Sequence, residues 1–260
     1  MCLMYEQEIP KGWVTGPPDF VGVGAQRSGT SWWFNLISDH PEVKTTERSH
    51  KEVHFFGALF ARSLEERDIR AYHAAFPRPP GLIVGEWTPR YMFDPWTPPM
   101  LARAAPDVQL LVMLRDPVER YRSGLGRHET SLREAGRGPP SADVASNALL
   151  RGLYFMQLQH LLRHFDRSRL LVLQYERCHR DPYAELERTY RFLGLGDSGH
   201  APATIHEHVE RLYPHAELDP EARSRVSAFF AEDVSRLAAS FPEIDTRLWP
   251  NFRDLAATRV

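Results

Sequence analysis

Three short stretches carry residue types able to handle a transferable anion. In the first, Gly24-Ala25-Gln26-Arg27-Ser28-Gly29-Thr30-Ser31 lies between a short apolar run, Phe20 to Gly24, and a helical pattern from Ser31 to Ile37. Glycines let the backbone turn tightly, so that successive N–H groups converge on a phosphate seated at the helix N-terminus. The Gly-x-x-x-x-Gly frame is that of a phosphate-binding loop, except that Thr30 stands where a nucleoside-triphosphate loop carries lysine. The only cation inside the loop is Arg27. A ligand-free glycine-rich turn is the plain alternative.

In the second stretch, the apolar run Val108 to Leu114 ends at Arg115-Asp116-Pro117, and Ser123 follows about two helical turns later. An arginine at the carboxyl end of a central strand faces the crevice where open α/β sheets bind ligands. Two other readings stand beside this one. Arg115 and Asp116 can form a structural pair with Ser123 on a polar helix face, or Asp116 can be a magnesium-site acid of a kinase or triphosphatase. The third stretch is Lys51-Glu52-Val53-His54-Phe55-Phe56. Alternation puts Glu52 and His54 on one side of an extended segment, where a carboxylate and an imidazole can take a proton from a hydroxyl substrate. A surface charge pair beside a buried Phe55-Phe56 anchor is the simpler reading.

The elements that must position these residues follow from hydrophobic patterning. Strands are expected at 20–24, 82–85, 108–114 and 170–173. Helices are expected over 31–37, 63–76, near 98–105, over 117–135 and 147–165, and near 182–193 and 221–239. Strands alternating with helices require crossover connections, hence a central parallel sheet flanked by helices. The Pro/Gly-rich stretches at 77–81, 94–99, 136–141 and 194–203 are spaced like surface loops of one domain. The expectation is a lead-in over 1–18 and one α/β domain over 19–260, with a P-loop-like strand-loop-helix phosphate site.

Composition excludes several classes. Hydrophobic residues at 42% and charged residues at 25% suit a globular chain, and no apolar run is long enough to span a bilayer. Only three of the 32 basic residues are lysines, yet no basic stripe stands out, so nucleic acid is not an expected partner. Cys2 and Cys178 sit far apart, which speaks for a reducing compartment rather than a disulfide framework. The first ten residues lack the pattern of a signal peptide. A cytoplasmic protein is expected.

The Gly24-to-Ser31 loop, Lys51 to Phe56, Gly85-Glu86-Trp87-Thr88-Pro89, and Leu114 to Pro117 followed by Ser123 occur in the order and spacing of one enzyme family. The chain resembles sulfotransferases that use 3′-phosphoadenosine 5′-phosphosulfate (PAPS), most of all their bacterial and heparan-sulfate-type branch. The likeness runs from about residue 19 to 195 and includes Tyr154 and Arg180-Asp181-Pro182-Tyr183. It implies that Arg27, Ser28, Gly29, Thr30 and Ser31 hold the 5′-phosphosulfate end of the donor, while Arg115 and Ser123 bind its 3′-phosphate. It makes Glu52 or His54 the base and Arg27 a stabiliser of leaving-group charge. It also implies an acceptor wall from Glu86 to Tyr91, with Trp87, Arg90, Tyr91 and Tyr154 as contacts. Arg211 is the candidate from the loop that covers the donor. Many members carry lysine where Arg27 and Trp87 stand, and a tryptophan cannot make a charged contact to an anionic polysaccharide.

The activity so implied is sulfuryl transfer, by in-line displacement and without a metal, to a hydroxyl of a carbohydrate, glycolipid or other small molecule. Two rivals remain at this point. One is an ATP- and magnesium-dependent kinase-like phosphotransferase with a degenerate P-loop. The other is a noncatalytic nucleotide-binding module in which Glu52 and His54 are surface groups.

Overall fold

The computed structural model describes residues 9–44, 51–196, 202–207 and 214–256. Four parallel strands, β1 (Phe20–Gly24), β2 (Gly85–Trp87), β3 (Gln109–Leu114) and β4 (Leu170–Gln174), form a sheet in the order β2-β1-β3-β4. The near-continuous apolar sequences of β1, β3 and β4 reflect burial on both faces. Along β3, Leu110, Val112 and Leu114 enter one core with Tyr72, Leu158, Phe230 and Leu237. Leu111 and Met113 enter a second core with Trp33, Ile37, Leu186 and Tyr190.

The helices are α1 (Thr30–Ser38), α2 (Glu66–His73), α3 (Thr97–Ala104), α4 (Pro117–Glu134) and α5 (Ala142–Leu150). They continue with α6 (Tyr154–Leu161), α7 (Tyr175–Arg180), α8 (Pro182–Phe192) and α9 (Pro220–Ser240). α1 and α8 cover one face of the sheet, and α6 and α9 contribute to the other. β1 has β2 on one side and β3 on the other, so the chain reverses its direction of winding there. Such a switch point opens a crevice at the carboxyl ends of β1 and β3.

Three expectations shift. The strand anticipated at 82–85 pairs at Gly85–Trp87 instead, because Asp19 takes both backbone groups of Val84 and Ile83 bridges to Val43. The helix anticipated over 147–165 is two helices. They part around Gly152, where a Cβ would lie 2.7 Å from the Phe230 ring, and the Asp233 carboxylate accepts from the Phe155 and Met156 amides at the start of α6. α7 was not anticipated; of its six residues only Cys178 is buried, too little to make an apolar period.

Candidate active site

A cleft of about 570 Å³ opens at the switch point. Among the described residues its lining includes Arg27, Lys51, Arg115, Arg120, Arg127 and Arg151 against a single carboxylate, Glu52. In a chain of net charge −2, this is a strong local concentration of positive charge.

The end at β1 is made of backbone. Gly29 precedes α1 with φ 85°, and no side chain among the described residues caps that helix. A Cβ at Gly29 would also come within 2.6 Å of the Tyr175 ring, so glycine is required twice over. Arg27 shares the left-handed conformation, with φ 68°. Gly29, Thr30 and Ser31 line the cleft, whereas Ser28 is wholly buried behind the loop.

The end at β3 is made of side chains. Arg115 lies over the Tyr175 ring at 4.9 Å and reaches the Arg27 carbonyl at 3.5 Å. Ser123 accepts from Arg27 Nε at 3.1 Å. The Arg27 guanidinium, expected at the transferring end, is thus drawn toward Ser123. Arg120, one turn before Ser123, is buried and bonds the Ala148 carbonyl, while its Nε has no partner among the described residues. Burial lowers its pKa. Burial, with Arg90 and Arg120 nearby, also brings Arg151 down to about 10. Arg151 donates to Gln26 at 2.8 Å on the cleft wall.

Asp116 is engaged elsewhere. One carboxylate oxygen accepts from the Val118 and Glu119 amides at the start of α4, and the other accepts from the backbone and side-chain amides of Asn251.

Lys51 and Glu52 line one side of the cleft, and the segment 51–55 that carries them is held from below. The buried Glu86 carboxylate accepts from the Val53 amide (3.1 Å), the Tyr72 hydroxyl (2.8 Å) and the Thr88 hydroxyl (2.5 Å). Thr88 Oγ1 accepts from the His54 amide, and the Tyr91 hydroxyl accepts from the Phe55 amide. Three successive backbone amides therefore rest on β2 and the turn after it. Burial pushes the Glu86 carboxyl up to about 7, although these three donors pull the other way. Above them, Glu52 Oε2 meets His54 Nε2 at 3.0 Å, and Glu52 Oε1 meets Lys51 Nζ at 3.1 Å. The pairing of Glu52 with His54 comes from a left-handed turn at His54 (φ 54°), not from strand alternation.

The structure gathers Glu52, Arg27, Gly29, Thr30, Ser31, Arg115 and Ser123 around one cleft. His54 stands beside Glu52 with half of its side chain exposed. The proposed acceptor wall changes character. Trp87 is fully buried, donates to the Gly24 carbonyl at 3.1 Å and occupies the space that a Cβ on Gly22 would need, so it is a packing residue. Tyr91 is buried beneath the 51–55 segment, and Arg90 points outward to pair with Asp94. Tyr154, also buried, donates to the Arg115 carbonyl at 3.0 Å and positions that turn from behind. Arg211 lies outside the described residues. The neighbouring segment Pro214–Ala216 crosses α4, with Ala216 bonded both ways to Arg122, and brings His215 to the cleft. No local signal singled out His215 among twelve histidines. Lys51 was also missed; its approach to Thr30 and Ser31 depends on tertiary structure.

Residues 17–219 match the sulfotransferase domain family. The chain belongs to that family. It is 32% identical over 189 residues to human heparan sulfate glucosamine 3-O-sulfotransferase 6, covering 68% of this chain and 52% of the relative. It is 30% identical over 188 residues to human heparan sulfate glucosamine 3-O-sulfotransferase 3B1, covering 68% and 46%. The chain thus spans about half the length of the curated relatives it matches. Among solved structures, a sulfotransferase from Alicyclobacillus acidocaldarius superposes with a TM-score of 0.67 at 25% identity, over 90% of this chain and 99% of that one. Among the described residues no helix is long and apolar enough to cross a membrane.

Proposed function

We propose that this sulfotransferase moves a sulfuryl group from PAPS to a hydroxyl of a carbohydrate, glycolipid or other small molecule. The observation that carries the reading is a pair of anion sites at the ends of adjacent strands, one at the β1 loop and one at Arg115 and Ser123, with a carboxylate at the mouth between cleft and solvent. The donor set fits a ligand with two anionic ends, and the buried, unpartnered Nε of Arg120 adds a further donor. The named activity of the relatives supports the same reading.

When bound, PAPS supplies the sulfuryl group and a 5′-phosphate leaving group. The loop amides and the N-terminus of α1 receive the 5′ end. Arg115, Ser123 and Arg27 hold the 3′-phosphate. Glu52 takes the proton of the acceptor hydroxyl as its oxygen bonds to sulfur, and His54 orients Glu52. The bond between sulfur and the 5′-phosphate oxygen breaks, and its electron pair passes to that phosphate beside the loop amides. The products are a sulfate ester and 3′-phosphoadenosine 5′-phosphate (PAP). Both oxygens of Asp116 are committed to amides, which disfavours the kinase-like rival in which Asp116 holds magnesium.

The test is transfer of labelled sulfuryl from PAPS to a panel of hydroxyl acceptors in EDTA. Glu52→Gln is expected to lower turnover on the order of a thousandfold, with PAP affinity changed less than about threefold. Near-wild-type turnover in that variant removes Glu52 as the base. Absence of both transfer and PAP binding in the wild type overturns the reading.

A further inference from the structure

Lys51 is the only lysine among the described residues that line the cleft. Its Nζ lies 2.9 Å from Thr30 Oγ1, 3.0 Å from Ser31 Oγ and 3.1 Å from Glu52 Oε1. Thr30 and Ser31 open α1, and no side chain caps the first amides of that helix. An ammonium there faces the positive end of a helix dipole. Burial disfavours its charge further and lowers its pKa, against the pull of Glu52. Among the described residues, a cation, a helix N-terminus and a single carboxylate leave an excess of positive charge at this point. An anion is the missing partner.

Arg27 is poorly placed to meet that anion at the mouth of α1, because its Nε bonds Ser123 and its carbonyl lies by Arg115. We propose that Lys51 is the catalytic cation of the transferring end, contacting the 5′-phosphate oxygen that leaves from sulfur. The inference rests on the sulfotransferase reading above and assigns the charge at its reaction centre. The lysine absent at position 30 is thereby supplied from position 51, with its ammonium within hydrogen-bonding distance of the Thr30 side chain. Two of the three ammonium donors are held by neutral hydroxyls. A phosphate oxygen makes the stronger, charge-assisted bond and displaces them. The same move draws the ammonium off Glu52 and leaves that carboxylate open to the acceptor proton.

The experiment compares two ligands by calorimetry: PAP, which has both phosphates, and adenosine 3′-phosphate, which lacks the 5′ one. Lys51→Met is expected to weaken PAP about 30-fold and to leave adenosine 3′-phosphate within about twofold. Arg115→Ala weakens both. In Thr30→Lys/Lys51→Met, a lysine returned to the loop regains at least about tenfold in PAP affinity. Equal weakening of both ligands by Lys51→Met makes Lys51 a structural support and overturns the proposal, as does unchanged PAP binding. A wild type that binds neither ligand overturns the sulfotransferase reading itself, and the proposal with it.

Discussion

Helices α1 and α4 leave the carboxyl ends of neighbouring strands and begin in opposite ways. α1 follows a left-handed glycine, carries no acidic residue in its first turn and has no side chain on its opening amides. α4 starts at Asp116, whose carboxylate accepts from the Val118 and Glu119 amides, with Pro117 at the first helical position and Glu119 in the first turn. An open helix N-terminus attracts an anion, whereas a capped one is already neutralised. On the proposed function, the anion site at β1 therefore draws on backbone amides, and the one at β3 must be built from side chains. This accounts for Arg115, Arg120 and Ser123 clustering beyond β3, while at β1 the open amides are joined by Lys51 alone among the lysines of the cleft.

The largest effect is expected from closing the backbone site. Gly29→Ala forces a side chain into a φ of 85° and against Tyr175. PAP affinity measured by calorimetry should fall about 100-fold, and retention of wild-type affinity would show that the loop amides do not form the site. A smaller effect comes from uncapping the other helix. Asp116→Ala removes the acceptor for two α4 amides and for Asn251, and should lower unfolding free energy by about 2 kcal/mol. PAP affinity should stay within about threefold, because Arg115 and Ser123 do not depend on an open helix end. A large loss of affinity with unchanged stability would erase the distinction between the two helices.

The smallest effect is a pH dependence. The Glu86 carboxyl is raised by burial from its ordinary value of 4.5 to about 7. The folded state therefore binds this proton more tightly than the unfolded state. Stability from this group is full below about pH 4.5 and declines as pH rises through 7. Glu176, also raised by burial to about 7, adds to the same slope. In denaturant titrations from pH 4.5 to 7.5, Glu86→Gln should show a shallower decline than the wild type, with the Glu176 part remaining. An identical slope would mean that Glu86 does not titrate in this range.

The same contrast governs what could be read before the fold was known. The β3–α4 end is local in sequence: an apolar strand, Arg115, a cap followed by proline, and Ser123 two turns on. The β1 loop is equally local, and the structure brings the two together. The mouth is not local. Residues 51–54 have no regular element of their own, and with Phe55, which opens a short 3-10 helix, they are held by Glu86, Thr88 and Tyr91, more than thirty residues away. Trp87 and Tyr91 are acceptor contacts only as the family resemblance implies, and a match in motif order does not reveal which way a side chain faces. Trp87, in a sheet covered on both sides, and Tyr91, in the turn after β2, are both buried. Lys51 was visible as a rare lysine, but nothing in its neighbourhood could say that it reaches the start of α1.

The most direct test of the central claim is calorimetric binding of PAP in EDTA beside ATP with magnesium, on wild type and Arg115→Ala. The account predicts metal-free PAP binding in the micromolar range or tighter, on the order of 100-fold weaker in the variant, and weaker binding of magnesium-ATP. Preference for magnesium-ATP, or PAP binding indifferent to Arg115, would contradict it.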